Sequence, residues 1–293
     1  MRVLVAADAM AGLDPRGASE VIAQAFVDAG AQVAVVPLAD GGPFFAATVA
    51  GFDADAAVSG PGTLADAAAV LTDSSPPRYV DLTGIAHYSW EELVHVMPGD
   101  LEELRNASHL SDTVAVVRSG SQLDTLTGLT GVVAERGRRD GADLAQTLAD
   151  DGLVSAWCAT LGLDGATPGS GAAEGLGALV LALGGSIASG IDVSIKGFDL
   201  ASTMAKSDVV VTGSALLDFH AVGGDVVKEV ATLAGDALRP VIAIVGRNFV
   251  SSRELRLAGI ESAHPILEGV GSDEPIPAQL AEVAAKVARS WSW

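Results

Sequence analysis

MRVLVAADAMAGLDPRGASEVIAQAFVDAGAQVAVVPLADGG, residues 1–42, decides the fold class. Val3 to Ala7 is a short apolar run ending at Asp8, the pattern of a parallel strand buried on both faces. Residues 9–17 carry Gly12 and Pro15 and predict a loop. Ser19 predicts a helix N-cap with Glu20 just inside, and Gly30 stops the helix after Ala29. A second apolar run, Val33 to Val36, leads into Pro37-Leu38-Ala39-Asp40-Gly41-Gly42. Strand, loop, helix and strand in that order is the rhythm of a doubly wound α/β sheet.

The C-terminal part repeats it. Strands are predicted at Val209 to Val211, Val241 to Val245 and Ala263 to Leu267, with helices over Asp225 to Ala234, Arg253 to Leu257 and Gln279 to Arg289. The middle is less regular. Strand and helix pieces are predicted within Val58 to Leu71 and at Tyr79 to Leu82, with a strand at Val114 to Val117. A helix over Glu91 to His109 is broken at Pro98-Gly99, and further helices are expected at Ala142 to Ala149 and Gly175 to Leu183. The division expected is a parallel-sheet domain from 1–57 plus 201–293 and an inserted α/β domain from 58–200. No internal repeat or low-complexity tract is present.

Composition narrows the function. Apolar residues make up 49% of the 293 and aromatics only 4%, so the core is built mainly from Ala, Val, Leu and Ile. The net charge of −20 and the lack of clustered Lys and Arg argue against nucleic acid and against an acidic membrane surface. Arg136, Arg138 and Arg139 form the densest basic run and are expected in a solvated loop, with contact to an anionic ligand as the lesser alternative. Cys158 is the single cysteine, so no internal disulfide is expected, and its apolar setting predicts an inert packed thiol. No signal peptide or spanning segment is apparent, and a cytoplasmic location is expected.

Four glycine-bearing turns sit where strands end or helices begin: Asp8 to Gly12, Ala39 to Gly42, Pro168 to Gly177, and Thr212-Gly213 with Asp218 and Gly223-Gly224. Glycines let backbone N–H groups approach an anion, and a helix N-terminus favours negative charge. The turns therefore suit a small anionic ligand. The third, PGSGAAEGLG, is neither a phosphate loop, having no following Lys, nor a dinucleotide fingerprint, having no clear strand before it. Ser170 lacks the elbow context of a hydrolase nucleophile. His87, His95 and His109 lack metal-ligand spacing, and His220 is expected on a surface loop. Trp291 and Trp293 are expected to dock on their own domain or on a partner.

The segment PGSGAAEGLGALVLALGGSIASGIDV (168–193) resembles the signature of the bacterial glycerate kinase family, P-G-A-G-A-A-G-G-L-G-A followed by a helix and G-I-D. MRVLVAADAMAG resembles that family's opening strand and D-S-F-K-G loop, and VVPLADGG its A-D-G-G-E-G-T. SDVVVTGSALLD, followed by RPVIAIVG, resembles D-L-V-I-T-G-E-G-x-x-D and the next strand. The likeness covers residues 1–50 and 168–250, whereas 58–167 is shorter than expected and matches poorly. It implies an α/β, two-domain architecture, with a Rossmann- or flavodoxin-like parallel sheet, an inserted second α/β domain and the site in the cleft between them. It also implies ATP-dependent phosphorylation of glycerate or a similar small hydroxy acid, with ATP and Mg²⁺ as cofactors if the chain is active.

Carried over residue by residue, the resemblance makes Asp8, Asp40, Asp124 and Asp218 the catalytic carboxylates. It places Gly12, Gly41, Gly42, Gly169, Ser170, Gly171, Gly175, Gly177, Thr212 and Gly213 against substrate or nucleotide. Metal ligands are left unassigned and a homo-oligomer remains open. The charged positions depart from the pattern. Met10 and Ala11 replace Phe and Lys, Pro43 and Ser214 replace Glu, and Asp225 follows Gly224 where the family has Lys. Asp124 is offset by one from the acidic position of G-G-S-A-T-N-D-G-G, which falls on Thr125. Backbone-shaping residues persist and charge carriers are lost, so a non-catalytic descendant that senses a ligand or binds a protein is the alternative.

Overall fold

The structure is a computed structural model and describes residues 1–97, 99, 101–219 and 223–291. Pro98, His220 and Trp293 lie outside the described residues. The chain opens with β1 (Arg2–Ala7), α1 (Pro15–Asp28), β2 (Gln32–Pro37) and α2 (Phe45–Val49). Its middle holds β3 (Val58–Ser59), α3 (Leu64–Leu71), β4 (Tyr79–Asp81), α4 (Trp90–Val94), α5 (Leu101–Asn106) and β5 (Val114–Val117). There follow α6 (Val132–Asp140), α7 (Leu144–Thr160), a 3₁₀ turn (Ala172–Gly175), α8 (Leu176–Ala182) and β6 (Ser186–Ser189). After α9 (Gly190–Gly197) and α10 (Leu200–Ala205) come β7 (Val209–Gly213), β8 (Leu216–Leu217), α11 (Asp225–Asp236) and β9 (Val241–Val245). The chain closes with β10 (Arg247–Asn248), α12 (Ser252–Leu257), β11 (Ile260–Pro265) and α13 (Pro277–Trp291).

These elements form two compact units. One comprises Met1–Asp40, Ala47–Asp53 and the chain from Val193 onward; the other comprises Gly41–Ala46 and Ala54–Asp192. The first unit carries a five-stranded sheet in the order β11-β9-β7-β1-β2, with every pairing parallel. β7 and β9 are buried at every position, as strands covered on both faces must be. On one face Val3, Val5, Val211 and Ile244 pack with Ile22 and Phe26 of α1 and Leu280 and Val287 of α13, and Trp291 docks against this core. Helix α11 packs against β1, β7 and β9. The second unit has a parallel four-stranded sheet, β3-β4-β5-β6, over a core that includes Trp90, Trp157, Leu126 and Leu179. Cys158 is buried in that core, and burial pushes its thiol up to about 11, with Asp164 adding to the shift, so it stays protonated. No helix among the described residues is long and apolar enough to cross a membrane.

Three local readings of the sequence are corrected. Helix α1 starts a full turn before Ser19, because Asp14 caps it by accepting from the Gly17 N–H and Pro15 supplies the preset first position. Strand β6 was not expected. The basic run is no loop: it lies on α6, where Arg138 and Arg139 are exposed but Arg136 is only 7% exposed.

Candidate ligand site

In the first unit the loops that leave the sheet bring together Asp8, Thr212, Gly213 and Ser214. Asp8 follows β1 directly and its N–H donates to the Gly213 carbonyl at 2.9 Å. Its carboxylate accepts from the Ala9 N–H at 2.6 Å. Burial nevertheless raises its pKa to about 6, outweighing that hydrogen bond, and the charge of Asp225 adds to the rise. Met10 and Ala11 are turned into the core, and Ala11 at φ 54° and Gly12 at φ 74° close a tight turn in which Met10 and Leu13 exchange backbone hydrogen bonds. Gly213 is a packing glycine: a Cβ there would lie 2.1 Å from the Ile244 carbonyl oxygen. The Thr212 hydroxyl is buried without a partner among the described residues, and the Ser214 hydroxyl donates to the Leu216 carbonyl. The Asp218 N–H donates to the Gly223 carbonyl at 3.0 Å just before α11 begins.

In the second unit the glycines of two turns are held by protein groups. The Gly42 N–H donates to the Asp81 carboxylate at 2.7 Å, and Thr83 donates to the other Asp81 oxygen from its N–H at 3.0 Å and its hydroxyl at 2.6 Å. Gly41 has no room for a side chain, with Thr83 2.6 Å from its would-be Cβ. In the third turn Gly169 and Gly171 both donate their N–H to the Asp124 carbonyl, at 3.0 and 2.8 Å. Ser170 is fully buried; its hydroxyl accepts from the Leu126 N–H and donates to the Gly165 carbonyl. Gly175 takes φ 109°, and Gly177 lies so close to the Gly169 carbonyl that a Cβ would sit 2.0 Å away. The turn is thus a rigid brace that fixes the position of Asp124.

Beside that brace lies a cavity of about 390 Å³ whose polar lining includes Arg118, Asp124, Glu135, Arg136, Arg139 and Glu174. Arg136 is the buried centre of the wall. Its guanidinium stacks 4.5 Å over the Trp90 ring, donates to the Tyr88 carbonyl at 2.6 Å and pairs with Glu174 at 3.3 Å. The Asp124 carboxyl is pushed above the ordinary carboxylate range by burial and by the nearby charge of Glu135. Asp81, Arg118 and Glu174 were not singled out from the sequence as site residues, and Arg136 only through the lesser reading of its basic run as an anion contact. Asp81 does carry the signal that Asp8 carries, an aspartate ending a buried strand. Among the described residues no group of three or more His, Cys, Asp or Glu side chains could hold a metal ion.

The glycerate kinase family model matches residues 88–292, well over half of the chain. The chain belongs to the glycerate kinase family. It is 32% identical over 179 residues to an uncharacterized protein of Mycobacterium bovis, a match covering 59% of this chain and 46% of that protein. It is 31% identical over 106 residues to the glycerate 2-kinase of Escherichia coli K12, covering 36% of this chain and 28% of that enzyme. These matches therefore span less than half the length of the curated relatives. A crystal structure described as a glycerate kinase 2 from Salmonella typhimurium LT2 superposes with a TM-score of 0.69 at 19% identity, covering 100% of this chain and 97% of that one. The fold is that of the family.

Proposed function

We propose that this family member binds a small hydroxy acid of the glycerate class in the cavity of its second unit, and that its phosphoryl transfer is weak or lost. The observation that carries the reading is the presence of both Arg118 and Asp124 in the lining of one cavity, a cation for a carboxylate and an acceptor for a hydroxyl. Family membership supports the substrate class.

The first unit supports the loss of transfer. Neither residues 8–14 nor residues 212–225 contain a Lys or Arg, while Asp8, Asp14, Asp218 and Asp225 lie there. A nucleoside triphosphate needs cations on its phosphates, and Asp8 with Asp225 would instead repel them. These residues do not fit bound ATP. One observation favours the second reading, a working kinase: Asp8 titrates near 6, close to the working range of a general base.

Calorimetric titration with D-glycerate, beside a coupled assay with Mg²⁺ and ATP, tests the proposal. Binding without turnover is the expected result. Turnover that disappears in Asp8→Asn would establish the kinase instead, and failure to bind glycerate would remove the hydroxy-acid reading.

A further inference from the structure

The charges in this cavity are unequally available. Arg136 is paired with Glu174 at 3.3 Å and Asp140 at 3.7 Å, and Arg139 with Asp140 at 3.4 Å and Glu174 at 3.5 Å. Two guanidinium groups thus face two carboxylates and are neutralised locally. His87 approaches Glu174 at 3.8 Å and Arg136 at 2.7 Å. The Arg118 side chain makes no ion pair or hydrogen bond with any described residue, although it lines the same cavity.

Glu174 is held there against backbone preference. It sits at φ 53°, ψ 33°, directly after Ala173 at φ 49°, ψ 49°, so two successive side-chain-bearing residues are left-handed. Each such residue costs about 1–2 kcal/mol relative to an ordinary conformation. The Tyr88 hydroxyl fixes the bend by donating to the Ala173 carbonyl at 2.8 Å, with the Glu174 carbonyl 3.3 Å away. Glycine adopts this conformation freely, and this chain carries Ala and Glu here instead. The strain is offset by a carboxylate delivered to Arg136 and Arg139.

We infer that Arg118 is the anchor for the ligand's single carboxylate, and that Glu174 is a built-in anion reserving Arg136 and Arg139, so that the cavity selects a monoanionic hydroxy acid over a phosphorylated or dicarboxylic one. This rests on the hydroxy-acid reading of the site and specifies its charge selectivity. A second anionic group entering the cavity meets Asp124, Glu135 and Glu174 with no unpaired cation besides Arg118 among the described lining residues.

Titration of the full chain with glycerate and 3-phosphoglycerate, with glycerol as a neutral control, tests the assignment. The parent should bind glycerate about tenfold or more tighter than either other compound. Arg118→Gln should lose glycerate affinity by about tenfold or more at an unchanged unfolding midpoint, with partial recovery in Arg118→Lys. Glu174→Gln should raise phosphoglycerate affinity by about tenfold, and Glu174→Gly should do the same while also relieving the backbone. A parent that binds glycerate while Arg118→Gln binds it equally well overturns the anchor alone. Phosphoglycerate affinity unmoved in both Glu174 variants overturns the reserving role. A parent that binds neither acid overturns the inference together with the functional reading beneath it.

Discussion

The Asp81 carboxylate accepts the Gly42 N–H at 2.7 Å, tying the Gly41-Gly42 turn to the end of a strand 39 positions away. The other carboxylate oxygen is taken by the Thr83 N–H and hydroxyl, so a single buried side chain organises three donors. Hydrogen bonds to a charged group are worth about 1.5–3 kcal/mol each, and the donors they leave behind are costly when unpaired. Asp81→Ala should therefore lose about 2–4 kcal/mol of stability in urea unfolding. Asp81→Asn keeps one acceptor and presents an amide to a donor, so it should fall between the two. A melt of Asp81→Ala that overlays the parent would show that the turn is held by other contacts.

Arg136 supports a second stability prediction. Its side chain is 8% exposed, stacked on Trp90 and paired with Glu174. Arg136→Met fills similar volume but leaves Glu174 with the exposed Arg139 as its main cation, at a cost of about 2–4 kcal/mol. Arg136→Lys should recover little, because a point ammonium can neither stack flat on the indole nor donate simultaneously to Tyr88 and Glu174. Denaturant midpoints of the two variants check this, and full recovery by lysine would reduce Arg136 to a bare charge.

How much of this was readable in advance depends on where each residue gets its environment. The strands Val3 to Ala7, Val209 to Val211 and Val241 to Val245 were legible because a strand buried on both faces must be apolar throughout. Helix α6 was not, since Val132–Asp140 is more charged than apolar and contains Gly137. Besides Val133 and Ala134 it buries Arg136 on an aromatic ring, a tertiary fact that periodicity does not register. Asp8 and Asp124 were legible as candidates from a strand end and from a motif. Asp81 lies in the piece expected at Tyr79 to Leu82, but three strand residues gave no reason to read its last one as a site residue. The importance of Arg118 rests on the pairing of two other arginines, and no local pattern encodes that.

Asp8 gives the fold a pH dependence of unusual sign. Its carboxyl titrates near 6 in the folded chain, above its ordinary value near 4 in the unfolded one. The folded state therefore holds a proton that the unfolded state has released between those values. The contribution of Asp8 is fully present below pH 4, declines as pH rises through 4 to 6, and is gone above that window. The total change across that window amounts to at most about 2–3 kcal/mol. Asp8→Asn, which can still accept from the Ala9 N–H, should match the parent near pH 4 and exceed it at pH 8. Asp225→Asn should shift the decline towards lower pH, because the charge of Asp225 contributes to the rise. Unfolding curves across this range for the three proteins decide it, and parallel pH profiles for parent and Asp8→Asn would refute the assignment.

The glycine turns differ in what they tolerate, and the difference separates backbone packing from backbone conformation. At Gly177 an added methyl would stand 2.0 Å from the Gly169 carbonyl oxygen, inside the brace that carries Asp124. Neither partner is the end of a flexible side chain, so the brace must open. Gly177→Ala should cost about 3 kcal/mol or more and disturb the cavity with it. Gly12 has open space around its would-be Cβ but takes φ 74°, so Gly12→Ala carries only the conformational penalty of about 1–2 kcal/mol. Thermal unfolding should accordingly place Gly12→Ala between the parent and Gly177→Ala. Glycerate affinity should fall in Gly177→Ala and hold in Gly12→Ala, since only the former displaces Asp124. The reverse order of stabilities would mean that the first turn, and not the third, is the rigid one.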